Sequence, residues 1–554
     1  MATLLFPGRH IVNTRFQEEY LFQVLQRPLA QLDILGQTNI PKDQTLDKII
    51  FAITSINQEH SRYNPINGMH RFISVDRFAQ QFRIALGVDV RIVGIPHYHA
   101  IGKFAQYTLK EISEQTEQEI QLHPKNTLVL SSTPAVQQMY QQLGFAILPA
   151  ELQSLNPKQY RAPLPIDIVK KIAATAENWQ QDGEIRTQLS PATISTWIHF
   201  PEIAKKVIWL YKDPLLNEHG SLTATRDYFT YTQGMSNPLI LEAKYNDIKH
   251  SIVTGGRIVD EGCADGALLA RIAQDFPDVD ILGIEITAEY IEQCREKQRQ
   301  GAFRANYAHF HQRNLMERIF EDNSITTTIC NSTTHELWSY GEQQNTIQKY
   351  LDMKYQQLCR SGRIIIRDVV GPQDKEKIIY LHCNKNDGSN ENIHQSFSDP
   401  QELSKHLQNL STYARFQRFA QDFLFDMRKK AKRDEQTKIQ YQEKVINQEN
   451  YIILSLKDAA EFLSKKDYTD NWQSELNEEF AFWSYSQWKE VLKKTGFKII
   501  ENPNDPLFGS KSYASEWIIQ NRYKGKVQLY EMSEKKLKPL DYPVTNMVLV
   551  GEKP

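Results

Sequence analysis

Cysteine is scarce in this 554-residue chain, with five residues at positions 263, 294, 330, 359 and 383, no CxxC spacing and no pairing logic. That excludes a disulfide-stapled fold and a thiolate zinc site, so no metal is expected, and it suits a reducing, cytoplasmic compartment. Net charge is nearly absent as well. With 65 basic and 67 acidic residues, no global field draws the chain to DNA or an anionic membrane. No run of ~18 apolar residues occurs, and the opening MATLLFPGRHIV is too short an apolar stretch for a signal peptide. Fixed-period repeats and low-complexity segments are missing too. What remains reads as a soluble α/β protein of about two to four domains.

The most informative stretch is 256–286, GRIVDEGCADGALLARIAQDFPDVDILGIEI. It reads as strand, tight turn, helix and second strand, the helix being set by Leu268, Leu269, Ile272 and Phe276 at a period near 3.6. The turn carries Asp260 and Glu261 and then small residues at alternate positions, Gly262, Ala264 and Gly266, which let a ligand lie against the backbone. Glu285 ends the second strand at the spacing of an acid that grips a ribose diol. A pyrophosphate would be repelled by carboxylates at this bend. S-adenosylmethionine has no phosphate and carries an ammonium and a sulfonium, for which Asp260 or Glu261 is a suitable partner. An NAD site and an ordinary strand–turn–helix are the competing readings.

VDEGCADG followed by GIEI resembles motif I and the following acid of the class I S-adenosylmethionine-dependent methyltransferases, with Ala264 where the family has glycine. The resemblance implies further placements. Asn314 stands where the family has an acid contacting adenine, and the strand 324–330 ends at Asn331, facing the transferred methyl group. His335 follows as the expected base, with Glu336 and Asp368 behind it. The residues 309–320 are expected to be a loop, and a helix over 344–360 to stop at Gly362. The closing helix and antiparallel strands are expected at 487–495, 497–501 and 544–550. The chain lacks the N/D-P-P-Y motif of adenine-amino methyltransferases and the paired cysteines of the cytosine-carbon enzymes.

Short strands at 3–6, 49–54, 90–95, 127–130 and 145–148 alternate with helices at 15–25, 69–86, 104–120 and 135–143. This predicts a first parallel sheet. Histidine and arginine gather on its ligand-binding edge, which suits a polyphosphate. The segments TSINQEHSRYNP and STPAVQQMYQQLGF, with G-R-H after the first strand, resemble the nicotinamide-mononucleotide adenylyltransferase group. Gly8, His10, Arg15, His60 and Ser132 are the nucleotide-binding residues this implies, although the family's second histidine is replaced by Asn13.

The expected architecture is thus two Rossmann-like parallel-sheet domains joined by a helical segment, the second with a large helical insertion before its last strands. The boundaries read as 1–150 nucleotidyltransferase-like, 151–220 helical connector, 221–380 methyltransferase core, 381–485 mainly helical substrate cap, and 486–554 last helix and strands. By analogy with the methyltransferase family, the tyrosines within 227–231 and the segment 233–235 are expected to fold over the cofactor, with ordinary core packing as the competing reading. The first functional reading is methyl transfer to a small nucleotide-like or specialised metabolite, fused to a nucleotidyltransferase-like domain that is active or degenerate. A second makes RNA the substrate, through the basic run 428–433, although near-zero net charge disfavours it. A third is a non-catalytic nucleotide sensor.

Overall fold

The computed structural model describes residues 2–97, 101–150, 163–213, 216–220, 238–429, 437–502 and 508–554. The chain divides into two units, Met1–Thr223 and Ala224–Pro554. Among the described residues no helix is long and apolar enough to cross a membrane.

In the first unit β1 (Thr3–Gly8), β2 (Lys48–Thr54), β3 (Asp89–Ile95), β4 (Thr127–Ser131) and β5 (Ala146–Pro149) form one parallel sheet in the order β3-β2-β1-β4-β5. Buried Leu4, Ile49 and Phe51 face one core and Leu5, Ile50 and Ala52 the other, so helices cover both faces. The expected helix 104–120 ends at Gln115, because Thr116 turns its hydroxyl onto Ile112 O and Glu117 and Gln118 adopt positive φ.

The helical segment from Pro165 to Lys212 packs within the first unit. Ile168, Val169, Ile172, Trp197 and Val207 form a core with Ile11, Val12 and Ile66, which come from the first unit's own loops. Asn13 is stitched to it through Thr193 Oγ1 (3.1 and 2.9 Å) and Ser190 N (3.1 Å). The aromatic segments 227–231 and 233–235 lie outside the described residues.

In the second unit β6 (Arg257–Glu261), β7 (Asp280–Glu285), β8 (Ala308–Gln312), β9 (Ile325–Asn331) and β10 (Leu358–Val369) are parallel, in the order β10-β9-β6-β7-β8. The strand Asn546–Glu552 pairs antiparallel with β10, and Lys498–Ile499 follows at the edge after helix Tyr485–Thr495. Two expectations need correction here. The residues 308–312 are an edge strand rather than a loop, with Ala308, Phe310 and Gln312 turned inward between half-exposed and exposed histidines. Helix Gln344–Gln357 ends before Gly362, because Leu358 already pairs with Ile325 and a bulge carries the chain to Arg363.

The insertion carries strands as well as its helices. Ile378–Cys383, Tyr441–Ile446 and Glu449–Ser455 from the first insertion join Val527–Ser533 and Lys536–Leu540 from the second in a five-stranded antiparallel sheet. Helices Pro400–Asn409, Thr412–Asp422 and Leu456–Lys465 share its core through Leu407, Phe416, Phe419 and Phe462. Asp399 caps the first of these, accepting from Gln401 N at 2.9 Å, as the Asp-Pro-x-Glu signal implies.

Candidate functional site

Strand alternation decides where the two acids ending β6 point. Ile258 packs with Leu269, Ile272 and Ile281 on one face, and Val259 with Ile347 and Leu351 on the other. Asp260 therefore follows Ile258, and Glu261 follows Val259. Glu261 meets Lys354 of helix Gln344–Gln357 at 2.7 Å, both side chains fully buried. This corrects its assignment as a cofactor ligand. Glu261 is half of an interior ion pair behind the sheet.

The bend itself is built for close approach. Gly262 and Gly266 have φ of +80° and +75°, and Ala264 takes +45° where the related motif has glycine. A Cβ on Gly262 would stand 2.7 Å from Thr333 Oγ1, so the backbone lies directly against the loop after β9. Glu285 spans the turn, its Oε2 accepting from Ala264 N (3.1 Å) and its Oε1 from Thr287 N (2.9 Å).

Asp260 Oδ1 and Asn331 Oδ1 are buried acceptors with no hydrogen-bond partner among the described residues. Burial, with Glu261 and Glu285 adding to it against Lys244, pushes the Asp260 carboxyl up to about 7. Lys244, on helix Pro238–Ile248, is buried too; burial and Arg367 bring its ammonium down to about 8, against the pull of Asp260 and Asp368. A buried acid with one unbonded oxygen, in the field of a buried cation, fits a ligand that carries an ammonium and a carboxylate and no phosphate.

Residues 252–417 match a family model described as "Methyltransferase domain". The match lies within the second unit, and a methyltransferase domain there implies S-adenosylmethionine as cofactor. No curated protein matches the chain. Among solved structures, the chain is similar to the YcgJ protein from Bacillus subtilis (12% identity, 55% of this chain and 95% of that one, TM-score 0.26). It is also similar to a putative methyltransferase from Bacillus halodurans C-125 (10%, 57% and 98%, TM-score 0.27). A third is a putative S-adenosylmethionine dependent methyltransferase from Listeria monocytogenes (10%, 56% and 99%, TM-score 0.28).

Around the methyltransferase edge the structure revises the expected base. His335 Nδ1 stands 2.7 Å from Asp368 Oδ1, and its Nε2 3.4 Å from Glu478 Oε2 of the insertion. Asp368 also accepts from Thr334 N (2.7 Å), Thr334 Oγ1 (2.6 Å) and Val369 N (2.8 Å). Burial works against a charge on His335, yet the two carboxylates override it and hold the imidazole pKa well above 6.5. Burial would likewise raise Asp368, but His335 and the Thr334 and Val369 donors keep it below 3.8. A group already protonated, with both nitrogens engaged, accepts no proton from a substrate. His335 and Asp368 are therefore not the base. Glu336 is half-buried, close enough to Glu285 for its charge to raise that carboxyl behind the larger effect of burial.

Asn314 Oδ1 accepts from Met316 N at 3.0 Å and so shapes the loop after β8. Arg367, one residue before Asp368, turns to the other face and pairs with Asp247 at 2.9 Å, where Tyr513 OH (2.6 Å) and Lys511 (3.4 Å) also converge. Lys244 and Glu478 were missed from the sequence. Neither lies in a recognisable motif, and each is brought in by a separate element.

In the first unit Gly8 ends β1, and His10, His60 and Ser132 follow the C-termini of β1, β2 and β4, at one edge of the sheet. His10 is not available to a phosphate. Its Nε2 lies 3.1 Å from Phe6 O, its ring stands edge-on to Phe6 and Phe51, and burial brings its pKa down to about 4. His60 Nε2 is 3.1 Å from Glu59 Oε1. Arg15 is exposed at the start of helix Arg15–Gln26, in an open surface depression beside Arg186 and His199. Ser132 is half-buried before helix Pro134–Gln142. Arg71, which sequence reasoning passed over, is fully buried and clamps the loops after β1 and β2 by donating to Arg9 O, Thr54 O, Ser55 O and Gln58 O at 2.7–3.1 Å.

Proposed function

We propose that the chain methylates a small nucleotide-like or specialised metabolite, the acceptor entering between the sheet edge of the second unit and its α+β insertion. The observation that carries this reading is the buried Oδ1 of Asp260 at the β6 bend, which has no hydrogen-bond partner among the described residues and lies within the field of Lys244. Bound there, S-adenosylmethionine supplies an electrophilic methyl group. The protein's part is to hold the donor and align a nucleophile. Glu285 sits at the ribose position, Gly262, Ala264 and Gly266 give the close backbone, Asn331 offers its amide, and Asp260 meets the ammonium. Lys244 meets the carboxylate of the same amino-acid end. Where the acceptor releases a proton, Glu336 is the carboxylate placed to take it.

The first unit fits a degenerate nucleotidyltransferase-like domain. Its strand order suits a nucleotide-binding sheet, but His10 is locked neutral in the interior and Arg62 is engaged by Leu210 O and Asp213 O. Phosphoryl transfer depends on such donors being directed at the substrate. The RNA reading is weakened at its basic run, because Arg428 is buried and donates to Phe423 O at 2.5 Å; residues 430–433 lie outside the described residues.

The role of Lys244 is tested by two ligands that differ at one end. S-adenosylhomocysteine carries the amino-acid group and 5′-methylthioadenosine does not. Lys244→Met is expected to weaken the first by about 30-fold or more, as for loss of one member of a buried charge pair, and to leave the second within about twofold. Equal loss for both ligands would show that Lys244 acts on the fold rather than on the carboxylate.

A further inference from the structure

A four-residue strap, Glu478 to Ala481, runs between the methyltransferase core and the helical layer of the insertion, and it is bonded to both. On the core side, Glu478 Oε2 faces His335 Nε2 at 3.4 Å and Glu478 Oε1 accepts from Tyr340 OH at 3.1 Å. Glu479 N donates to Ser339 Oγ at 2.8 Å, and the Phe480 ring stands edge-on to His335 at 4.7 Å. On the insertion side, Glu461 of helix Leu456–Lys465 accepts from Phe480 N (2.9 Å) and Ala481 N (2.7 Å), and Lys465 Nζ donates to Glu478 O (2.7 Å). Glu461 and Lys465 also pair with each other, and both are fully buried.

Three backbone groups of the strap, Glu478 O, Phe480 N and Ala481 N, bond to the insertion, while Glu479 N and the Glu478 carboxylate reach the core, the latter through the His335 ring. Asp368 orients that ring from β10, and Asp368 is itself fixed by the first amides of helix Thr334–Tyr340. A neutral imidazole could donate to only one of the two carboxylates, leaving the other buried against a lone pair. With both carboxylates ionised, the geometry calls for the imidazolium.

We infer that His335 is a positioning residue: as an imidazolium between Asp368 and Glu478 it fastens the strap, and with it the insertion, over the edge where the methyl group is transferred. The inference rests on the methyltransferase reading only for what that edge does. Other charges facing the ring and its partners are few. Lys465 lies behind Glu478, Lys244 acts on Asp368, Glu336 shares the helix of His335, and Tyr468 is close enough to feel the imidazolium. Since the folded pKa is raised, the latch is complete below the ordinary histidine pKa and is lost as pH rises through the folded value.

Nitrogen-15 NMR of histidine-labelled protein, with His335→Gln to assign the signal, reads the protonation directly. Hydrogen exchange over 476–484, corrected for the intrinsic pH dependence, reads the strap. The expected result is a doubly protonated His335 ring at pH 8, titrating lower in Glu478→Gln. Exchange over 476–484 should be about tenfold faster or more in His335→Gln, while β6 keeps its protection. In the wild type the same acceleration should appear as pH passes the His335 titration. Calorimetry with S-adenosylhomocysteine should give the same affinity for wild type and His335→Gln. A neutral ring at pH 7, unchanged strap exchange in His335→Gln, or a loss of S-adenosylhomocysteine affinity confined to His335→Gln would each overturn the inference. Failure of the wild type itself to bind S-adenosylhomocysteine would instead count against the methyltransferase reading and leave the latch standing.

Discussion

Replacing Asp260 with asparagine is expected to make the ligand-free second unit more stable and at the same time unable to hold its cofactor. The acid is 2% exposed, and burial among Glu261 and Glu285 lifts its pKa from 3.8 to about 7. A carboxyl with a higher pKa folded than unfolded weakens the fold as pH rises through that window, here from about 4 to about 7. Above pH 7 the ionised form costs on the order of 4 kcal/mol, part of which the amide removes, because buried Lys244 then loses a neighbouring negative charge. Binding moves the other way. Losing the one charge that meets the ligand's ammonium is expected to lower S-adenosylhomocysteine affinity by about a hundredfold. Chemical denaturation at pH 8 and calorimetry on the same preparations read the two effects. A variant that is destabilised, or that binds normally, contradicts the role given to Asp260.

Glu261, one residue on, is expected to behave in the opposite manner. Its carboxylate and the Lys354 ammonium are both fully buried at 2.7 Å, with Lys354 also donating to Gln357 Oε1 at 3.3 Å and lying 5.3 Å from the centre of the Tyr350 ring. Glu261→Gln leaves a buried cation uncompensated and should cost about 3–5 kcal/mol of stability, read as a fall in the urea midpoint. Replacing both partners by apolar residues of similar volume, Glu261→Leu with Lys354→Met, should recover most of it. Where the single variant still folds, S-adenosylhomocysteine affinity should be unchanged, because Glu261 faces away from the bend. Loss of affinity without loss of stability would return Glu261 to the cofactor site.

The contrast between these neighbours shows what the chain discloses when read as a string. All the strands of both parallel sheets except Ala308–Gln312 are legible, because runs such as Ile49 to Ile53 and Ile364 to Ile366 are apolar on both faces. The bend was legible because only small residues tolerate it. That Asp260 and Glu261 serve opposite faces follows from period-two alternation, and the charge reading of the motif ran the two together. The strands of the insertion escape a sequence reading for a different reason. The strand Tyr441–Ile446 lies at a sheet edge with five of its six residues exposed and charged side chains at Glu443 and Lys444, so it carries no core pattern. The opposite edge, Lys536–Leu540, contains Pro539 and arrives from a separate insertion. His335 was found by position, but its second carboxylate comes from Glu478, on the strap beyond helix Leu456–Lys465, and only the fold brings the two together. His10 was misread because its ring turns back under β1 onto Phe6 and Phe51, which no loop motif reveals.

The account stands on the acid-lined bend after β6 being the cofactor site. A crystal structure of the chain grown with saturating S-adenosylhomocysteine tests that most directly. The predicted density places the ribose against Glu285 and the amino group at Asp260, with the backbone of Gly262 to Gly266 in contact. Ligand density confined to the first unit, or none at the β6 bend, would contradict it.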